Sequence, residues 1–167
     1  HCNLKCRGCT HFANLAEPYY ISIDDFKHDV SELSKKFEIE IFRILGGEPL
    51  LHPDIVKIAQ ISRQYLPKTE ISIVTNGLLL KEQQELFYKT LHDNEIIIDV
   101  SQYPIYDELY VEAFELIKKF DLKYYTRKKH YFSSFFNPNT NYDEKETFFK
   151  CELKYNVILY RGKIFHC

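Results

Sequence analysis

The chain contains no methionine, and no apolar run in its 167 residues approaches the length of a membrane-spanning helix. Opening on His1 without an initiator, it is expected to be an excerpt of a longer product, and a targeting segment removed before His1 would leave no trace in it. An excess of charge of one sign is also missing. The 22 basic and 24 acidic side chains leave a net charge of -2, which excludes a general attraction to nucleic acid or to an anionic membrane. Internal repeats and low-complexity linkers are absent, and with 45% hydrophobic and 28% charged residues the chain is sized and composed for one globular domain. An even cysteine count is lacking as well: there are 5, which argues against a closed disulfide framework.

What is present is concentrated at the start. Cys2, Cys6 and Cys9 lie on one short loop with the spacing C-x3-C-x2-C. Three thiolates so placed can hold three corners of an iron-sulfur cube and leave the fourth iron open, as catalytic zinc sites keep an open position. Zinc could equally take the three sulfurs with His11, two residues beyond Cys9. The spacing alone leaves iron and zinc level. Metal-ligand spacing of this kind favours a reducing compartment, so a cytoplasmic protein is expected.

The rest of the chain alternates in period. Phe26, Val30, Leu33 and Phe37 recur at helical steps and Ser22 with Asp25 forms a capping-box signature, which predicts a helix over 22–37. A strand over Glu40–Leu45 follows, then a helix over Pro53–Tyr65, a strand over Glu70–Thr75 and a helix over Lys81–His92. Next come a strand over Ile96–Ser101, a helix over Asp107–Phe120 and a strand over Leu122–Thr126. Repeated βα units build a parallel sheet covered by helices. From Arg127 to Phe149 the pattern gives way to an aromatic-rich connector, whose basic cluster Arg127, Lys128 and Lys129 reads as a solvated face. Residues 156–167 read as a β-hairpin through Gly162.

In parallel α/β folds, function gathers at the carboxyl ends of the strands. Those ends carry Gly46-Gly47-Glu48-Pro49, Thr75-Asn76-Gly77 and the segment from Asp99 to Tyr103. The cysteine loop precedes the first helix and would follow an earlier strand, so all four segments are expected on one rim. A lone zinc knuckle gives no reason for the other three.

With Cys2, Cys6 and Cys9 matching its cysteine motif and Gly46 to Pro49 its glycine-glycine-glutamate-proline motif, the chain resembles the radical S-adenosylmethionine (radical SAM) enzymes. The resemblance implies an α/β fold, a partial TIM barrel of the (βα)6 type lacking its first strand. It implies a 4Fe-4S cluster on Cys2, Cys6 and Cys9, S-adenosylmethionine at the open iron, and reductive cleavage to a 5'-deoxyadenosyl radical that takes hydrogen from a substrate. An external electron donor of the flavodoxin or ferredoxin type is implied too. Gly46, Gly47, Glu48 and Pro49 are implied as cofactor-binding, Glu48 by accepting a hydrogen bond from the methionine ammonium, together with Asn76 and Ser101 at the next strand ends.

The chain departs from the family in two places. Gly8 stands where an aromatic residue commonly precedes the third cysteine, with Phe12 a substitute, and no glycine-rich adenine motif occurs around Leu122–Thr126, so adenine contacts are unassigned. Cys151 and Cys167 bracket Gly162 in a pattern resembling the start of the SPASM or twitch extension, which implies ligands of an auxiliary iron-sulfur cluster. Accordingly, residues 1–126 are expected to form the barrel core and 127–167 the connector and the start of that extension. In the family such extensions accompany peptide, sugar-type and other small-molecule substrates, so the substrate is left open, with no nucleic acid and no membrane expected as partner. The competing readings are a zinc-binding interaction module and an iron-sulfur relative without catalysis.

Overall fold

A computed structural model describes residues 1–128, 141–151 and 153–166, and the chain divides into two compact units, residues 1–133 and 134–167. In the first, Ser22 accepts from the Asp25 backbone N–H and starts helix α1, Ile23–Lys36, which buries Phe26 and Val30 as its spacing predicts. Strand β1 (Ile41–Ile44), helix α2 (Ile55–Tyr65), strand β2 (Glu70–Thr75) and helix α3 (Glu85–Asp93) follow. Strand β3 (Ile97–Gln102), helix α4 (Tyr110–Lys119) and strand β4 (Tyr124–Lys128) complete the unit. All pairings are parallel and the order is β1-β2-β3-β4, so each βα unit adds its strand on the same side of the last. Sequential winding of this kind curls toward a barrel, whereas doubly wound sheets reverse their strand order at a switch point. The fold is therefore α/β, an arc of a partial TIM barrel.

Register and alternation divide the sheet into two chemically different faces. Ile71, Ile73, Ile98 and Val100 are fully buried on one face and belong to the core that α1 to α4 cover. The other face carries Arg43 beside Ser72, Asp99 beside Tyr125, and Ser101 beside Arg127. A parallel sheet covered on both sides has apolar residues on both. This one has a helix-covered apolar face and a more polar face, where charged and hydroxyl side chains stand among Val74 and Ile97.

Two polar side chains join the elements. His52 accepts the Asp54 N–H on Nδ1 (3.1 Å), so its Nε2–H is the donor to the Ile21 carbonyl 3.0 Å away, and the ring ties β1's exit to the start of α1. Arg63 donates to five carbonyl oxygens, those of Leu66, Pro67, Thr69, Asn94 and Glu95, at 2.7 to 3.3 Å. It thereby satisfies carbonyls where α2 and α3 end. Because water reaches Arg63 and can replace part of this, Arg63→Ala is expected to cost about 2 kcal/mol in urea denaturation of the chain.

The structure differs from the sequence reading in detail beyond β3. Strand β4 runs on to Lys128, and Arg127 is partly exposed as expected of a solvated cluster but also paired, which the sequence did not show: its Nε and Nη2 grip both oxygens of the buried Asp99, at 3.1 and 2.9 Å. Lys129 lies outside the described residues, as does most of the aromatic stretch before Asn141. In the second unit the expected irregular connector contains helix α5, Glu144–Lys150, whose cap Asp143 accepts the Glu146 N–H at 2.8 Å. The hairpin is present as antiparallel β5 (Val157–Tyr160) and β6 (Lys163–His166), turning through Arg161 and Gly162 at positive φ.

Candidate cofactor site at the carboxyl rim

The cysteine loop sits directly on the Gly-Gly-Glu-Pro turn. The Glu48 N–H donates to the His1 carbonyl at 2.8 Å, and a Cβ added to Gly47 would lie 2.1 Å from that oxygen and 2.8 Å from the Cys2 Cβ. Only glycine allows this approach. Gly46 has open space around it, so its role is different: nothing within 4 Å would oppose a side chain there. Pro49 opens a 3-10 turn, Pro49–Leu51, where its missing N–H costs nothing.

Glu48 is the knot of the rim. Its side chain is 3% exposed, and its Oε1 accepts from the Leu50 N–H (3.0 Å) and the Thr75 hydroxyl (2.7 Å), its Oε2 from the Asn76 N–H (2.8 Å). Burial pushes its pKa up while the three donors pull it down. A carboxylate offers about four acceptor directions, so one on Oε2 is left for a cationic ligand. Asn76 is equally committed: Nδ2 donates to the Asn3 Oδ1 in the cysteine loop at 2.7 Å, and Oδ1 accepts the Leu78 N–H at 3.0 Å. The Tyr110 hydroxyl, buried, donates to the Asn76 carbonyl and accepts the Tyr103 N–H, each at 3.0 Å, which holds the ends of β2 and β3 together. Gly77, at φ +78°, passes beneath this ring, where a Cβ would meet Val100 at 2.9 Å and Tyr110 at 3.1 Å.

The three thiols are free and half-buried. Burial raises the pKa of Cys2, against the Leu4 N–H that donates to its Sγ at 3.4 Å, and the charges of Glu48 and Cys9 raise it further. Cys6 is raised by burial first and then by Cys2 and Cys9. Thiols that resist ionising together are a donor set for a cationic group, because metal ligation deprotonates them and cancels the repulsion. Among the described residues no three Cys, His, Asp or Glu side chains form a ready-made site for a single metal ion. A cube holds its ligands at separate corners.

Ser101 lies at the rim on the polar face, its carbonyl 3.5 Å from the Tyr110 hydroxyl. Sequence reasoning named Tyr103 only as the end of a strand-end segment and gave it no role; its pKa is pushed up to about 12 by burial first and then by the charges of Cys6, Tyr110, Cys2 and Cys9. The signal available was its position two residues past Ser101 at the same strand end. Cys151 is a half-buried free thiol just after α5, in the second unit, and Cys167 lies outside the described residues.

Fold and site together define a sequentially wound βα protein whose carboxyl rim bears a three-thiol loop locked to a buried glutamate. The family model described as the radical SAM superfamily matches residues 1–104. A probable GTP 3',8-cyclase of Saccharolobus islandicus (strain Y.N.15.51 / Yellowstone #2) is 33% identical over 121 residues, 70% of this chain and 38% of that protein. The GTP 3',8-cyclase of Microcystis aeruginosa (strain NIES-843 / IAM M-2473) is 32% identical over 94 residues, 53% of this chain and 28% of that protein. Among solved structures, native anSMEcpe with bound AdoMet matches at a TM-score of 0.61 and 23% identity, over 75% of this chain and 40% of that one, a likeness of fold. The chain belongs to the radical SAM superfamily. It spans 38% and 28% of the two curated relatives.

Proposed function

We propose that Cys2, Cys6 and Cys9 hold a 4Fe-4S cluster and that S-adenosylmethionine binds beside it on the rim formed by Gly46, Gly47, Glu48, Pro49, Asn76 and Ser101. The observation that carries this is the junction of three sequence-distant segments. The cysteine loop is tied to Gly47 and Glu48 through His1 and to Asn76 through Asn3, so that a group bound by the thiols borders the buried carboxylate. When bound, cluster and S-adenosylmethionine supply a 5'-deoxyadenosyl radical for hydrogen abstraction, with an external flavodoxin- or ferredoxin-type protein as electron donor. The chain's part is positional. Glu48 presents the free direction of Oε2 to the methionine ammonium, in a setting of low dielectric where that attraction is strong. Gly47 removes the bulk that would hold the loop away.

Cys151 and Cys167 are assigned to an auxiliary cluster whose further ligands come from elsewhere, since two cysteines cannot close a four-iron site. Anaerobic reconstitution of the full-length protein is the test. About four irons are expected for one cluster and about eight with an auxiliary one, with 5'-deoxyadenosine formed on addition of dithionite and S-adenosylmethionine. Stoichiometric zinc in place of iron would leave an interaction module, and iron without 5'-deoxyadenosine a non-catalytic relative. A count near four would remove the auxiliary cluster alone.

A further inference from the structure

The polar face of the sheet holds a charge arrangement that the rim chemistry does not use. Asp99 on β3 is 2% exposed and takes both hydrogen bonds of its ion pair from Arg127 on β4. Arg43, on β1, brings its Nη2 to 3.9 Å from the same carboxylate, near enough for attraction and too far for a hydrogen bond. To do so it crosses β2, a distance of two strand spacings or about 9.5 Å, over Ser72 and Val74 on that face. Arg127 alone satisfies Asp99. The second arginine adds a charge that the carboxylate does not need.

The trio carries a net charge of +1, and the Arg43 and Arg127 side chains remain 47% and 41% exposed. The Arg43 side chain makes no hydrogen bond among the described residues, so its planar fork of donors is available. The location also points inward to chemistry: Asp99 lies two residues, about 6.6 Å, below Ser101 on the face that a partial barrel turns to its lumen. Guanidinium groups fixed by a buried carboxylate, with donors to spare, suit a bidentate oxyanion.

Resting on the reaction proposed above, we infer that Arg43 and Arg127, set by Asp99, bind the acidic group of the substrate, which is a phosphate- or carboxylate-bearing molecule. The probe is inorganic pyrophosphate, titrated by calorimetry into the full-length, cluster-loaded protein with and without saturating S-adenosylmethionine. Arg43→Gln is expected to weaken binding at least about tenfold, the loss of one charge-assisted hydrogen bond. Asp99→Asn keeps one oxygen to hold Arg127 while raising the charge of the trio from +1 to +2, so it is expected to tighten binding several-fold, an effect opposite in sign to any loss of folding. Affinity should be independent of S-adenosylmethionine. No binding, equal binding by Arg43→Gln, or displacement of pyrophosphate by S-adenosylmethionine would overturn the inference, the last by assigning the arginines to the cofactor's own carboxylate. Failure to form 5'-deoxyadenosine with Arg43-dependent pyrophosphate binding intact would defeat the reaction and leave the anion site standing.

Discussion

Glu48→Ala is expected to destabilise the chain by about 3–5 kcal/mol in urea denaturation of the cluster-free protein, because it strips the acceptor from three donors at once. The Leu50 and Asn76 N–H groups and the Thr75 hydroxyl all point at this carboxylate, and it is 3% exposed, so water does not replace it freely. Two effects oppose each other here. Burying the charge is costly, which is why the pKa rises, yet removing it orphans donors whose desolvation has already occurred. The second effect is larger for alanine. Glutamine separates them: one carbonyl oxygen can serve two donors while its NH2 faces the third, so Glu48→Gln is expected to cost only about 1–2 kcal/mol. The pH dependence has a definite sign. A carboxyl whose folded pKa lies above its ordinary 4.5 binds its proton more tightly when folded, so its stability contribution is complete below 4.5 and is lost as pH rises through the raised value. Glu48→Gln should flatten the stability profile over that window. A profile identical in wild type and Glu48→Gln would show that the folded and unfolded carboxyls titrate alike.

The elements were legible in the sequence wherever period and punctuation agreed. Ser22 and Asp25 begin α1 as their spacing indicated, and Gly46-Gly47 ends β1 at the turn expected of them. The rim motifs were legible too, since glycine, glutamate and cysteine at strand ends carry chemistry that a packing role does not explain. What could not be read was pairing across the sheet. Asp99 stands in an apolar strand and Arg127 in a basic run, and only the parallel register that sets β3 against β4 turns them into one ion pair. The 28-residue separation in that bond is invisible to any local pattern. Tyr103 had no assigned role for the same reason: an aromatic after a strand is ordinary, and the bond from its N–H to the Tyr110 hydroxyl spans seven residues and depends on how β3 meets α4. The α5 helix was unread because it is short, and only its Asp143 cap marks its start.

Gly47→Ala is expected to leave the sheet folded and to empty the thiol loop, with iron incorporation on reconstitution falling at least about tenfold. The new Cβ would stand 2.1 Å from the His1 carbonyl oxygen and 2.5 Å from its carbon. Both are backbone atoms, so no rotamer change relieves the overlap, and crowding of this kind costs about 1–3 kcal/mol or more when the surroundings cannot yield. The surroundings here can yield in one direction. The β1–β2–β3 sheet beneath is anchored by fully buried Ile71, Ile73, Ile98 and Val100, whereas the loop above is held to the rim through the His1–Glu48 and Asn3–Asn76 hydrogen bonds. The loop is therefore the part that moves, carrying Cys2 with it, because the added Cβ also lies 2.8 Å from the Cys2 Cβ. Gly46→Ala supplies the control, since it adds the same methyl group one residue earlier with nothing within 4 Å. Iron content and urea midpoint measured on both variants separate the two roles. Equal iron loading in Gly47→Ala and wild type would mean that the thiol loop does not need its seat on the rim to take up iron, and would count against the proposed cofactor site.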